Sequence, residues 1–276
     1  MEQVRNFRQA GVAGSFYSRD KLILERELSM LLESAPVLEL KRPVRAIIAP
    51  HAGYLYSGGV AARAYGQILN SSYRRVIVLA ASHEESYPFC SIYSGLGYKT
   101  PLGDVPIDEV YTEKLTNFSL QIQLSETGHT KVEHAIEVQL PFLQLCLRKF
   151  SLIPVMMGEQ SMNMIEALVE AIVKIVPAEG TLIVASSDLS HGHNDHKARL
   201  LDQVAVEAIN QFNENQLWRE IQEKQTEMCG YGPAIASMKI AKKMGAQEAK
   251  VMMYRHSGDI SGNNDEVVGY LSAIMI

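Results

Sequence analysis

The chain has 276 residues, with 26 Lys or Arg against 31 Asp or Glu for a formal charge of −5; 47% hydrophobic and 21% charged residues describe a globular chain with a sizeable core. That acidic balance, without a clustered basic stretch, excludes the electrostatic footprint of a nucleic-acid or anionic-membrane binder. Three cysteines, Cys90, Cys146 and Cys229, are too few and odd in number for a disulfide framework, which suits a reduced, cytoplasmic setting.

The opening segment Met1–Arg8 is polar, and no run of about 18 apolar residues follows, so neither a signal peptide nor a membrane span is expected. No linker, repeat or low-complexity tract divides the sequence, and a single domain over residues 1–276 is expected. The first β-branched run, Val44–Ala49, ends at Pro50. Gly58-Gly59 then leads into Val60, Ala61, Ala64, Ile68 and Leu69 at helical spacing, and a second run covers Arg75–Ala81, which together predict a βαβ unit. Helical period returns over Ala135–Arg148, Met162–Ile175 and Lys197–Phe212, between strands predicted at Leu152–Met157 and Thr181–Ala185. A last helix over Pro233–Met244, with Pro at its first position, precedes strands at Ala249–Tyr254 and Val267–Met275. The alternation predicts an α/β fold of three layers, α/β/α, around a mostly parallel or mixed sheet.

Polar groups concentrate where strands end. Val44–Ala49 exits into Pro50-His51-Ala52-Gly53-Tyr54, Val76–Ala81 into Ser82-His83-Glu84-Glu85, and Thr181–Ala185 into Ser186-Ser187-Asp188-Leu189-Ser190-His191. In open α/β sheets ligands bind outside the carboxyl ends of the strands, so three exits bearing imidazoles converge on the expected position of a site. Any one of them alone is more simply a turn-capping histidine; their convergence carries the argument. Neutral imidazole is the commonest nitrogen ligand for Zn, Fe and Cu. A sulfur ligand is available at Cys229, between Met228 and Gly230-Tyr231-Gly232-Pro233, where glycine permits close approach and a following helix N-terminus favours thiolate. Cys146, in the leucine-rich Leu140–Leu147 stretch, and Cys90 read as buried apolar residues. His134, inside Glu133-His134-Ala135-Ile136-Glu137, is placed to support such a site or simply to begin a helix, while His193 and His196 read as solvated loop residues. There is no Walker A sequence, no Cys-x-x-Cys pair and no nucleophile elbow, and Gly95-Leu96-Gly97 lacks the rest of a dinucleotide fingerprint.

Taken in order, Arg5–Tyr17 ending Ala13-Gly14-Ser15-Phe16-Tyr17, Ala49-Pro50-His51-Ala52-Gly53-Tyr54 with Tyr56-Ser57-Gly58, Glu133-His134 to Leu140-Pro141-Phe142, Ser187-Asp188-Leu189-Ser190-His191 and Cys229-Gly230 resemble the Memo family over nearly the whole chain. Microbial members carry the name AmmeMemoRadiSam system protein B, which implies a link to a radical-SAM protein and an AMMECR-type partner. The family is similar in fold to the class III extradiol dioxygenases, which open catechol-type rings with non-haem iron. The resemblance implies metal ligation by His51, His83 and Cys229, an acid-base role for His191 with Asp188 beside it, and His134 lining the cleft. The departure is at the third ligand, where the dioxygenases place a carboxylate and this chain a thiol. A thiolate is softer and donates more charge, which favours copper or a differently poised iron and admits zinc. The implied function is a metal-dependent oxidoreductase acting on a small molecule through one transition-metal ion, iron(II) or copper, with zinc as the third candidate. Two alternatives stand beside it: a cleft that binds a peptide or partner protein without chemistry, and a zinc-dependent hydrolase.

Overall fold

Successive residues of the central strands point to opposite faces, and both faces are buried. Ala46 and Ile48, Ile77 and Leu79, and Ile183 and Ala185 join one apolar core, while Ile47 and Ala49, Val76 and Val78, and Leu182 and Val184 join the other. This is why the runs read as continuously apolar rather than alternating. The structure, a computed structural model, describes residues 5–276; the first four residues of Met1–Arg8 lie outside the described residues.

In spatial order the sheet runs β10 (His191–His193), β12 (Val267–Met275), β2 (Ala46–Ala49), β9 (Thr181–Ser186), β3 (Arg75–Ala81), β8 (Ser151–Met157), β4 (Cys90–Tyr93) and β7 (Ile122–Ser125), with β11 (Ala249–His256) also paired to β12. Strands β2, β9, β3 and β8 are mutually parallel, and β12 and β4 flank them antiparallel. The sheet is therefore mixed with a parallel centre. A second small sheet joins β1 (Phe7–Arg8), β5 (Gly97–Thr100) and β6 (Gly103–Pro106).

Helices α1 (Lys21–Glu33), α2 (Tyr54–Tyr65) and α4 (Leu140–Cys146) cover one face. Helices α3 (Glu109–Phe118), α5 (Met162–Ile175), α6 (Asp195–Asn210), α7 (Glu214–Gln222) and α8 (Tyr231–Lys243) cover the other, and the short α9 (Gly258–Ser261) follows β11. This is the three-layer α/β/α arrangement expected.

Local chemistry sets several boundaries. Asp20, Asp108, Ser161, Asn194 and Asn213 each accept a backbone N–H of the first turn that follows, satisfying donors a helix start leaves free. The helix expected from Gly58 begins at Tyr54, and the one expected over Ala135–Arg148 is a 3₁₀ turn, Glu137–Gln139, followed by α4. Pro233 is not the first residue of α8 but its third, because Gly230 supplies the cap and the helix starts at Tyr231. The predicted βαβ unit holds as β2–α2–β3, with β9 inserted between its two strands.

That insertion positions the site. After β2 the chain passes to α2 on one face, whereas after its neighbour β9 it passes to α6 on the other. Connections that diverge from adjacent parallel strands open a crevice at their carboxyl ends, the switch point where α/β sheets bind ligands.

Candidate metal centre

His51 leaves the end of β2 and Ser186 ends β9 beside it. The His51 backbone N–H donates to the Asp188 carboxylate at 2.8 Å, and its ring Nδ1 lies 2.9 Å from Ser186 Oγ. His51 Nε2 is thereby directed at Cys229 Sγ, 3.4 Å away. Cys229 reaches this point on the loop before α8. A side chain at Gly230 would place its Cβ 2.5 Å from the Ser186 carbonyl oxygen and 2.8 Å from Ser187 Cβ, so only glycine lets the loop seat against the β9 exit. The Asp188 backbone N–H points at the sulfur from 3.2 Å, and Gly230 N–H donates to Ser187 Oγ at 2.8 Å.

His83, exposed at the mouth, follows β3. Its backbone N–H donates to Glu133 Oε2 at 2.7 Å, and its Nδ1 lies 3.1 Å from Glu133 Oε1. Glu133 also accepts the Ala135 N–H. The Cys229 side chain, and then the Glu133 hydrogen bond, raise the His83 imidazole to about 9 against burial and the neighbouring His51. Burial alone would raise the Glu133 carboxyl, but the hydrogen bonds from the His83 ring and backbone outweigh it and hold Glu133 down at about 2. The two shifts agree in describing an ion pair. His134 stacks nearly parallel on His83 at 5.3 Å and edge-on to His51 at 5.3 Å, with Phe16 packed against it at 4.8 Å. Burial, then the His51 ring, lowers the His134 imidazole and keeps it neutral.

One ligand atom from each of His51, His83 and Cys229 falls within 4.8 Å of the others, a group able to hold a metal ion. The donor set fits such an ion. A tetrahedral metal with bonds of about 2.1 Å to nitrogen and 2.3 Å to sulfur separates those ligands by roughly 3.6 Å, close to the His51–Cys229 spacing. Each histidine also spends Nδ1 on an oxygen behind it, the usual support for a ligating imidazole.

A sequence profile described as Memo-like protein matches residues 8–274. The chain belongs to the Memo-like family. It is 37% identical over 275 residues to a MEMO1 family protein of Sulfolobus acidocaldarius, covering 95% of this chain and 96% of that one. It is 35% identical over 288 residues to one of Methanocaldococcus jannaschii, covering 99% and 100%. Among solved structures, an uncharacterised protein from Escherichia coli K12 matches with a TM-score of 0.56 at 11% identity, covering 85% of this chain and all of that one, a likeness of fold.

Of the other residues singled out in this Memo-like chain, Asp188 is buried between His51 and Cys229 and touches both. His191 lies exposed on the edge strand β10, opposite Val268, and no hydrogen bond or ring contact among the described residues joins it to His51, His83, His134 or Cys229. The third imidazole at the crevice is His134. Ser186, Gln139 and Phe16 complete the surroundings without having been singled out by their sequence positions. Gln139, set with Glu137 among Ala135, Ile136, Val138 and Leu140, was the available signal, since polar side chains there must find partners in the core.

Proposed function

We propose that the protein is a metal-dependent oxidoreductase acting on a small molecule, with one iron or copper ion held by His51, His83 and Cys229. The observation that carries the reading is the meeting of two imidazoles and a thiol at the switch point, their ligand atoms within 4.8 Å of one another. When bound, such an ion would supply redox chemistry or polarise a substrate oxygen at the positions that three protein ligands leave open. The chain's own residues do the rest. Asp188 orients the His51 backbone and, through its N–H, the Cys229 sulfur. His134 presents a ring beside both histidines, where it can accept or return a proton, and Phe16 shields that ring. His191, exposed on β10 three residues beyond Asp188, is the second acid-base candidate.

The test is elemental analysis of protein purified anaerobically, then reconstituted. About one iron or copper per chain is expected, and Cys229→Ser should lose it. A preparation that takes up only zinc and stays redox-silent would transfer the reading to a zinc hydrolase. Absence of any metal, with a stoichiometric partner protein retained, would overturn it in favour of a binding cleft.

A further inference from the structure

Behind His51 lies a closed chain of buried hydrogen bonds whose directions can be worked out one proton at a time. Tyr65, Gln139 and Ser186 are fully buried and His51 nearly so. Gln139 Nε2 lies 2.9 Å from the Pro50 carbonyl oxygen and 2.8 Å from Ser186 Oγ, while its Oε1 faces the Tyr65 hydroxyl at 2.8 Å. A carbonyl oxygen only accepts, so the Pro50 contact fixes the amide with its nitrogen towards Pro50 and Ser186. The two Gln139 amide protons are then both committed, and Tyr65 donates to Oε1. Ser186 Oγ has one proton, which goes to the Ala135 carbonyl at 2.6 Å, and one of its two lone pairs receives the Gln139 N–H. One lone pair remains, and it faces His51 Nδ1 at 2.9 Å.

We infer that Ser186 and Gln139 are positioning residues that hold His51 as the Nδ1–H tautomer and leave the Nε2 lone pair as its only ligating atom. Ser186 has no proton left to give, so an unprotonated Nδ1 would set two lone pairs against each other in a dry core, at the cost of an unsatisfied buried acceptor. The accounting is anchored at both ends by carbonyl groups, Pro50 and Ala135. The lock also fixes ring orientation: a flip about the Cβ–Cγ bond would carry Nδ1 away from the one acceptor behind it. The consequence for metal binding rests on the reading of His51 as a ligand, whereas the tautomer does not.

The experiment separates the two. In metal-free wild-type protein labelled with ¹⁵N at histidine, His51 Nδ1 should give a pyrrole-type signal, and a pyridine-type signal at Nδ1 overturns the assignment. In Ser186→Ala the acceptor is gone, and the Nδ1 resonance should move towards the average of exchanging tautomers. Zinc, being redox-silent, is the probe for affinity. Competition against a chromophoric chelator should show Ser186→Ala binding about 10- to 100-fold more weakly than wild type. Ser237→Ala, which removes a buried hydroxyl bonded to the Ala234 carbonyl on α8, serves as control and should bind like wild type. Equal zinc affinity in folded Ser186→Ala and wild type overturns the positioning role. Should Ser186→Ala fail to fold, the wild-type spectrum alone still decides the tautomer. Wild-type protein that binds no metal overturns the reading of the site and leaves the tautomer assignment standing.

Discussion

Glu137 offers the most severe test of how this fold holds its site. It is fully buried and accepts four hydrogen bonds: from Arg8 Nη1 at 2.6 Å, the Gly11 N–H at 2.8 Å, the Val12 N–H at 3.0 Å and the Tyr17 hydroxyl at 2.6 Å. Arg8 is itself almost inaccessible; its guanidinium also donates to the carbonyls of Gln9, His129, Thr130 and Glu133 and lies over the Tyr98 ring. Replacing Glu137 by Gln keeps the shape, removes the one formal charge opposite Arg8 and turns an NH₂ towards groups that donate. Breaking a buried pair from one side leaves the other charge uncompensated and costs about 3–5 kcal/mol. With a urea dependence of about 3 kcal/mol/M, near the top of the usual range as befits a chain of this size, the unfolding midpoint should drop by roughly 1–1.7 M. The effect reaches the site, because Val12–Tyr17 carries Phe16, which packs on His134. Urea unfolding followed by far-UV circular dichroism measures the loss. The double variant Arg8→Met with Glu137→Leu should not recover it, since it removes both charges but leaves the Gly11 and Val12 N–H groups, the Tyr17 hydroxyl and the carbonyls that Arg8 serves without their partners. A midpoint shift in Glu137→Gln below about 0.3 M, equivalent to about 1 kcal/mol, would refute the claim that this pair anchors the N-terminal segment.

Three further outcomes follow from other parts of the molecule. His129 is buried, its Nε2–H directed at the Ser91 carbonyl and its Nδ1 facing the Tyr98 hydroxyl, and burial depresses its imidazole to about 3. Because the unfolded chain takes up that proton near pH 6.5, the contribution of His129 is complete above pH 6.5 and lost as pH falls towards about 3. Unfolding free energies measured at several pH values should therefore fall with acidification over that window, and His129→Leu, less stable above pH 6.5, should show a shallower slope. Cys90 and Cys146 are buried with thiols pushed up to about 12 by desolvation, whereas Cys229 is partly accessible. A disulfide reagent should then modify one thiol of three in native metal-free protein and all three in denaturant; rapid modification of two in the native state contradicts the burial. Finally, Gly230→Ala must move the Cys229 loop off the β9 exit, since its Cβ would lie 2.5 Å from the Ser186 carbonyl oxygen. Overpacking of this kind costs about 1–3 kcal/mol, and zinc affinity should fall with it; a variant matching wild type in both would show the loop to be less constrained than its geometry.

The central strands β2, β3, β8 and β9 were legible because they are short and apolar on both faces, with punctuation such as Pro50 after Ala49, whereas the outer β4 and β7, four residues each, carry too little pattern to be read. The helices α1, α3 and α7 were harder to read. In α1 the buried Leu24, Leu28 and Leu32 share one face, but exposed Leu22, Ile23 and Met30 blur the periodicity, so the better signal was Asp20 as cap. Strand β10 is three residues long at the sheet edge and carries no apolar pattern. That explains His191. After Asp188 the chain pairs with β12, through Leu189 N–H to the Gly269 carbonyl and Gly269 N–H to the Ser190 carbonyl, and this pairing draws His191 along the edge strand. Among the described residues, strand exits bring the rings of His51 and His83 into contact, whereas His191 makes no ring contact with either.

The histidine that stacks on His83, His134, comes from the loop between β7 and the 3₁₀ turn rather than from a strand exit, and the same segment supplies Glu133 behind His83 and Gln139 behind Ser186. One stretch, Glu133–Gln139, therefore stands behind both imidazoles of the candidate centre while its Glu137 clamps the N-terminal segment that carries Phe16. The residues that face the crevice are recognisable from their chemistry, because histidine and cysteine at strand ends announce themselves. Those that aim them are ordinary polar residues in apolar surroundings, and only the packing shows what they bond. Precision at a metal site depends on such support, so variants in Glu133–Gln139 should disturb ring geometry at His51 and His83 while leaving every ligand in place.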